Sequence, residues 1–247
     1  VLTSTGNAAI SLDSTVNGAF ALTVNTAGAT IFGGVVGGTT ALASVTTNAG
    51  GTTSLGGNVT TTGLQDFNDA VTLTANAILA STGNAAISLD STVDGAFALT
   101  VNTTGATTFG GEVGGTTSLA SLTTNGGGTT SIGGNVTTTG ATTLNDTVTL
   151  STDRIFTVGS LSLANVDGPG GLTAVVSGTT ILGGNLGSGT SLAFLDITTG
   201  GDLDIPLSVN VVNNVVLTVA DEFSFTGSLT AGGTVTVYAD QTAPGVT

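Results

Sequence analysis

The thirteen residues STGNAAISLDSTV at positions 4–16 return letter for letter at positions 81–93. The identity is not confined to that phrase. Residues 4–73 and 81–150 match at most positions when the chain is shifted by 77. A degenerate third copy follows: TTSLASL from Thr116 is echoed by GTSLAFL from Gly189, and Asp94-Gly95 returns as Asp167-Gly168, both offset by 73. Within the copies lies a smaller unit, apolar-Gly-Gly-any-apolar, at Phe32, Leu55, Phe109, Ile132 and Leu182. Phe32 and Leu55 are as far apart as Phe109 and Ile132. Periods of 20–50 residues are the mark of stacked repeats, in which one unit cannot bury its inner face alone and neighbours complete the core.

The units are built of strands. In AFALTVN, residues 19–25, the apolar Phe20, Leu22 and Val24 alternate with polar or small residues and share one face. Thr and Val favour strands, Gly and Asn supply corners, and no stretch shows apolar residues at helical spacing. The sequence therefore predicts an all-β, parallel β-solenoid, a right-handed β-helix of roughly 10–12 coils of about 19–25 residues each. At ~4.8 Å per layer the rod is on the order of 50–60 Å long. The Gly pair is expected to supply a positive φ at a corner and close approach between layers. The fourth letter of that unit (Val, Asn, Glu, Asn, Asn) is expected to face water. An antiparallel sandwich with a hairpin at Asn17-Gly18 explains the alternation. It leaves the long identity between copies unexplained.

Differences between the copies sort positions into inside and outside. Val45/Leu122, Leu55/Ile132 and Phe67/Leu144 exchange apolar for apolar and are read as inward. Val35/Glu112, Ile31/Thr108, Asn17/Asp94 and Ala41/Ser118 change polarity and are read as outward. The chain divides into a first repeat at 1–80, a second at 81–157, and a degenerate third with terminal layers at 158–239. The last part, 240–247, is a linker or tail containing Pro244. The chain begins at Val1, in mid-repeat and without a cap, as a processed product, a piece of a longer array, or a chain on which another stacks.

Composition excludes several chemistries. The formal charge is −14 and Arg154 is the only Lys or Arg, so phosphate backbones and anionic membrane surfaces are repelled. No apolar run is long enough to span a bilayer. Without His or Cys there is no Ser/His or Cys/His nucleophile pair, no His-ligated zinc and no haem ligand. No GK[ST] follows a Gly-rich stretch, so none is a phosphate loop. The nearest carboxylate pairs in sequence are Asp202/Asp204 and Asp221/Glu222. Asp202 and Asp204 have the spacing of one strand face, which suits a weak Ca²⁺ site or an acid pair, but solvated surface acids are the simpler expectation. No catalytic, cofactor-binding or metal residue is assigned, and the chain is expected not to be an enzyme.

Threonine is the residue that could carry a surface. Pairs and triplets recur at Thr46-Thr47, Thr60-Thr61-Thr62, Thr123-Thr124, Thr137-Thr138-Thr139 and Thr198-Thr199. Stacking would line them into ladders resembling ice-binding faces, although Thr is also an ordinary strand former that bonds along a ladder.

The block FGGEVGGTTSLASLTTNGGGTTSIGGNVTTTG, residues 109–140, resembles the β-strand repeats of giant bacterial surface proteins, the filamentous-haemagglutinin-like adhesins and autotransporter-type passenger regions. The likeness runs to about Asp240, near the only Tyr, Tyr238. It implies secretion to the cell surface, a right-handed β-helix, and a role as stalk, adhesin or self-assembling filament. Partners are then other copies stacked end to end, flanking domains, or a glycan or cell-surface receptor. A ligand-binding solenoid using the Thr ladders for ice or glycan is the alternative.

Overall fold

A computed structural model describes residues 1–239; the expected tail at 240–247 lies outside the described residues. The described chain consists of short strands joined by turns, with no helix. Every strand pairing is parallel. The strands form three sheets, one for each side of the coil, and the chain visits first, second and third sheet in unbroken order. The first sheet runs from Leu2–Thr3 to Leu229–Ala231, the second from Ile10–Leu12 to Val235–Ala239, and the third from a bridge at Val16 to Phe223–Phe225. The result is a β-solenoid of about twelve turns, on the order of 55 Å long at ~4.8 Å per layer.

Alternation decides what goes inside. On the first sheet Val24, Thr47, Phe67, Leu89, Phe109 and Ile132 stack in register, each 0 % exposed. One apolar cluster runs through all three copies of the repeat, so repeat boundaries are not packing boundaries. Burying each Val, Leu, Ile or Phe of such a row contributes about 1.5–3 kcal/mol against the entropy of ordering the chain. The three apolar-for-apolar pairs are buried, and the four polarity-changing pairs all reach solvent. Phe20 departs from expectation: its strand is Ala21–Asn25, and its ring lies at the preceding corner, half exposed.

Coils are unequal. Thr52 pairs with Ala70, closing a short coil, whereas Ala21 pairs with Ser44 and closes a longer one. The longer coils that begin at Ala21, Ala98 and Leu172 contain the protruding loops 37–43, 114–120 and 187–193. Each loop follows a single bridge residue, Val36, Val113 or Leu186, which holds its sheet together where no full strand forms.

The copies of the repeat do not stack face on face. The ALTVN strand Ala21–Asn25 belongs to the first sheet, and its copy Ala98–Asn102 belongs to the third. Between them the chain passes eleven faces, counting Val36 as one, so one copy of the repeat makes three turns and two further faces. The repeat is a screw that returns each letter one face away. The three loops therefore leave from three different corners: third-to-first, second-to-third and first-to-second.

Candidate interaction surfaces

Corners are held by Asn and Asp accepting backbone N–H groups from the next layer. Asn17 Oδ1 accepts from Thr39 and Thr40 at 2.8 and 3.2 Å. Asp94 Oδ1 accepts from Thr116 and Thr117 at 2.8 and 2.9 Å. Asp167 Oδ1 accepts from Gly189 and Thr190 at 2.8 and 3.4 Å. One latch thus recurs in all three copies, at the foot of each loop. The recurring Asp-Gly in the sequence was its signal, since such a pair both turns the chain and offers an acceptor.

The Gly-Gly corners work differently from expectation. None of the glycines in the five apolar-Gly-Gly-any-apolar units has a positive φ; those values fall instead on Gly18, Gly37, Gly50 and their later equivalents. What the pairs provide is close approach: a Cβ on Gly34, Gly111 or Gly184 would stand 2.7, 2.7 or 2.4 Å from backbone of the layer beneath. The fourth letter faces outward but does more than face water. Asn58 and Asn135 accept from the N–H of Ile78 and Ile155, at 2.9 and 3.0 Å.

Each Thr pair splits, because alternate residues of a strand point to opposite sides. Thr47, Thr61, Thr124, Thr138 and Thr199 are buried, while Thr46, Thr60, Thr123, Thr137 and Thr198 face out. The outward members lie on all three sheets, so they do not make one ladder. The rows that do form are mixed. On the third sheet Thr100, Thr123, Thr143 and Ser162 stack in register between Ile78 and Ile181. On the first sheet the row from Thr23 through Thr46, Asp66, Ser88, Thr108, Ser131 and Thr149 to Asp167 is polar throughout. Ser118, Thr137, Thr139, Thr157, Val175 and Ser177 line a shallow groove beside the 114–120 loop.

The acids are dispersed. Among the described residues no three Asp or Glu gather as a metal-binding group. Asp202 is exposed and accepts from Glu222 N–H at 3.2 Å, while Asp204 takes its place in the outward row of the third sheet, between Ile181 and Ser224. Asp221 and Glu222 are exposed. Arg154 donates to the carbonyls of Ile132 and Asp153, at 3.1 and 2.9 Å. Among the described residues two carboxylates are buried, Asp69 and Asp146. Asp69 accepts from Gly51 N–H at 2.8 Å, and Asp146 accepts from Gly128 N–H at 2.9 Å and the Thr130 hydroxyl at 3.0 Å. Burial pushes the Asp69 carboxyl above its ordinary range, against the opposing pull of the Gly51 and Thr53 hydrogen bonds. Among the described residues no helix is long and apolar enough to cross a membrane.

Comparison with known proteins found no matching family model, no matching curated protein and no matching solved structure.

Proposed function

We propose that the chain is a structural, non-catalytic β-solenoid segment of a bacterial extracellular adhesin or self-assembling surface filament. The observation that carries this reading is the continuous stack itself. Three parallel ladders run the length of the described chain over one unbroken apolar core, latched at every loop by Asn or Asp. Such a stack resists bending and pulling because each layer is bonded to both neighbours on every side. The likeness of residues 109–140 to bacterial surface repeats supports the placement outside the cell, and the sparse positive charge suits a rod kept soluble by self-repulsion.

Antibody raised against the chain tests this on intact cells of the source organism. Labelling without permeabilisation, together with loss of adhesion or of surface filaments on deletion, is the expected result. Labelling only after permeabilisation overturns it.

A second reading, ligand binding on the outer faces, draws on the in-register Thr100–Thr123–Thr143–Ser162 row of the third sheet and, separately, on the groove beside the 114–120 loop, where Thr137, Thr157 and Val175 of the second sheet form part of the lining. Thermal hysteresis checks ice, and a glycan array checks sugars. A null result in both removes this reading and leaves the first intact.

A further inference from the structure

The sequence holds two Asn-Gly pairs, Asn17-Gly18 and Asn125-Gly126. In such a pair the glycine has no Cβ to keep its backbone nitrogen away from the Asn side chain, so a five-membered ring can close between them. The other copies differ at both places. Asn17 is matched by Asp94 and Asp167, and Asn125-Gly126 is matched in the first copy by Asn48-Ala49.

The two pairs differ in what holds the attacking nitrogen. Gly18 N–H donates to the Thr40 carbonyl at 3.2 Å. A Cβ on Gly18 would collide with the Phe20 ring, so the ring covers that stretch of backbone. The Asn17 side chain is committed to its latch on Thr39 and Thr40. Gly126 is exposed, and its N–H has no hydrogen-bond partner among the described residues. A Cβ there would meet nothing nearer than the Asn145 carbonyl oxygen, at 3.4 Å. Asn125 Oδ1 accepts the Thr103 N–H at 2.7 Å, and Nδ2 donates to the Gly126 carbonyl at 3.1 Å. The Thr103 N–H therefore stands at the oxygen on which negative charge builds when Cγ is attacked.

We propose that Asn125 is a site of spontaneous covalent modification, an intramolecular deamidation that loosens the 125–128 corner as the protein ages, and that the latch protects Asn17. Gly126 N loses its proton to solvent and attacks Asn125 Cγ. The Cγ–Nδ2 bond breaks, and Nδ2 leaves as ammonia with a proton from water. Water then opens the cyclic imide at one carbonyl to give aspartate or at the other to give isoaspartate, so the balance is one water in and one ammonia out. Both products place a carboxylate in a corner whose Gly128 N–H is already held by Asp146 at 2.9 Å. Isoaspartate also inserts a carbon into the backbone just before Gly128 and draws that N–H off its acceptor. The first copy, with Ala49 in place of the glycine, is spared.

The test incubates the purified full chain near neutral pH, folded and in urea, then maps the deamidated positions and isoaspartate by peptic digestion and mass spectrometry. In the folded chain, conversion at position 125 should outrun conversion at 17 at least about tenfold, a barrier difference of about 1.4 kcal/mol. In urea the two should convert at like rates, because the protection of Asn17 belongs to the fold. G126A restores the Asn-Ala of the first copy at a place with room for the methyl, and circular dichroism checks its fold. It should slow conversion at 125 about tenfold or more. Amide exchange at Gly128 should quicken in the aged parent and stay unchanged in the aged variant. Equal conversion at 17 and 125 in the folded chain, no conversion at 125, or a G126A chain that converts like the parent overturns the assignment. Unchanged exchange at Gly128 after full conversion overturns the loosening of the corner.

Discussion

Phe32 and Phe109 are the same letter of the repeat on different sides of the rod. Phe32 is buried on the second sheet and Phe109 on the first, and the third copy places Leu182 on the third. One sequence therefore serves any face. Replacing either Phe by Ala should cost about 3–5 kcal/mol, the range for a large side chain lost from a packed core. Denaturant unfolding with amide exchange as a local probe checks this. Comparable losses are expected, and a near-neutral F32A beside a costly F109A would show that the faces are not equivalent.

Gly37, Gly114 and Gly187 open the three loops with φ of +73°, +71° and +70°. A Cβ there would also come within 2.1, 2.1 and 2.2 Å of the carbonyl oxygens of Thr60, Thr137 and Asn210. Substitution by Ala meets both the left-handed backbone and a backbone collision, so G114A should lose more than about 1 kcal/mol. Gly6 has open space around it, and G6A should stay within about 0.5 kcal/mol of the parent. Thermal melts of the two variants side by side give the comparison.

Asp94 latches the 114–120 loop through two N–H groups, and Asn17 does the same work in the first copy without charge. What matters at this position is the acceptor oxygen. D94N should therefore leave amide exchange at Thr116 and Thr117 unchanged, while D94A should accelerate it about fivefold or more, corresponding to about 1 kcal/mol of a lost hydrogen-bonded latch. Equal acceleration in both would mean that charge, not acceptance, holds the loop.

Asp69 has its carboxyl raised by burial. The folded chain then holds that proton more tightly than the unfolded chain, whose value is near the ordinary ~3.9. Its favourable contribution is fully present below the unfolded value and is lost as pH rises through the folded one. As pH rises above the unfolded value, the shift therefore weighs increasingly against folding. D69N keeps an acceptor for Gly51 N–H and removes the titration, so it should be at least as stable as the parent at pH 7, with its advantage shrinking toward pH 4. Urea midpoints at the two pH values decide it, and an advantage that grows on acidification contradicts the assignment.

The all-β class, the solenoid and the number of turns were legible because Gly-Gly corners and alternation repeat. Inside and outside were legible at positions such as Val45/Leu122 and Val35/Glu112, where two copies could be compared. The screw was not, because the alternation of Leu22 and Val24 is identical to that of Leu99 and Val101 and says nothing about which face a strand joins. Neither was the fate of the Thr pairs. Thr has nearly the shape of Val and enters a β core, so Thr46-Thr47 reads alike in either orientation. The latch role of Asn58 was hidden because its partner, the Ile78 N–H, lies a whole coil away along the chain and carries no side-chain signature.

The central claim, a three-sided stack in which each copy of the repeat advances by eleven faces, can be tested with cysteine pairs, since the chain has no Cys of its own. Asp66 and Ser88 are register partners across the junction between copies on the first sheet. Thr100 would continue the Thr23–Thr46–Asp66 row if copies stacked face on face, but it stands on the third sheet beside Ile78. Neighbouring strands at ~4.8 Å allow a disulfide. Oxidation of the D66C/S88C chain should close the bridge, and D66C/T100C should remain reduced. A bridge between positions 66 and 100, with 66 and 88 left free, would contradict the screw.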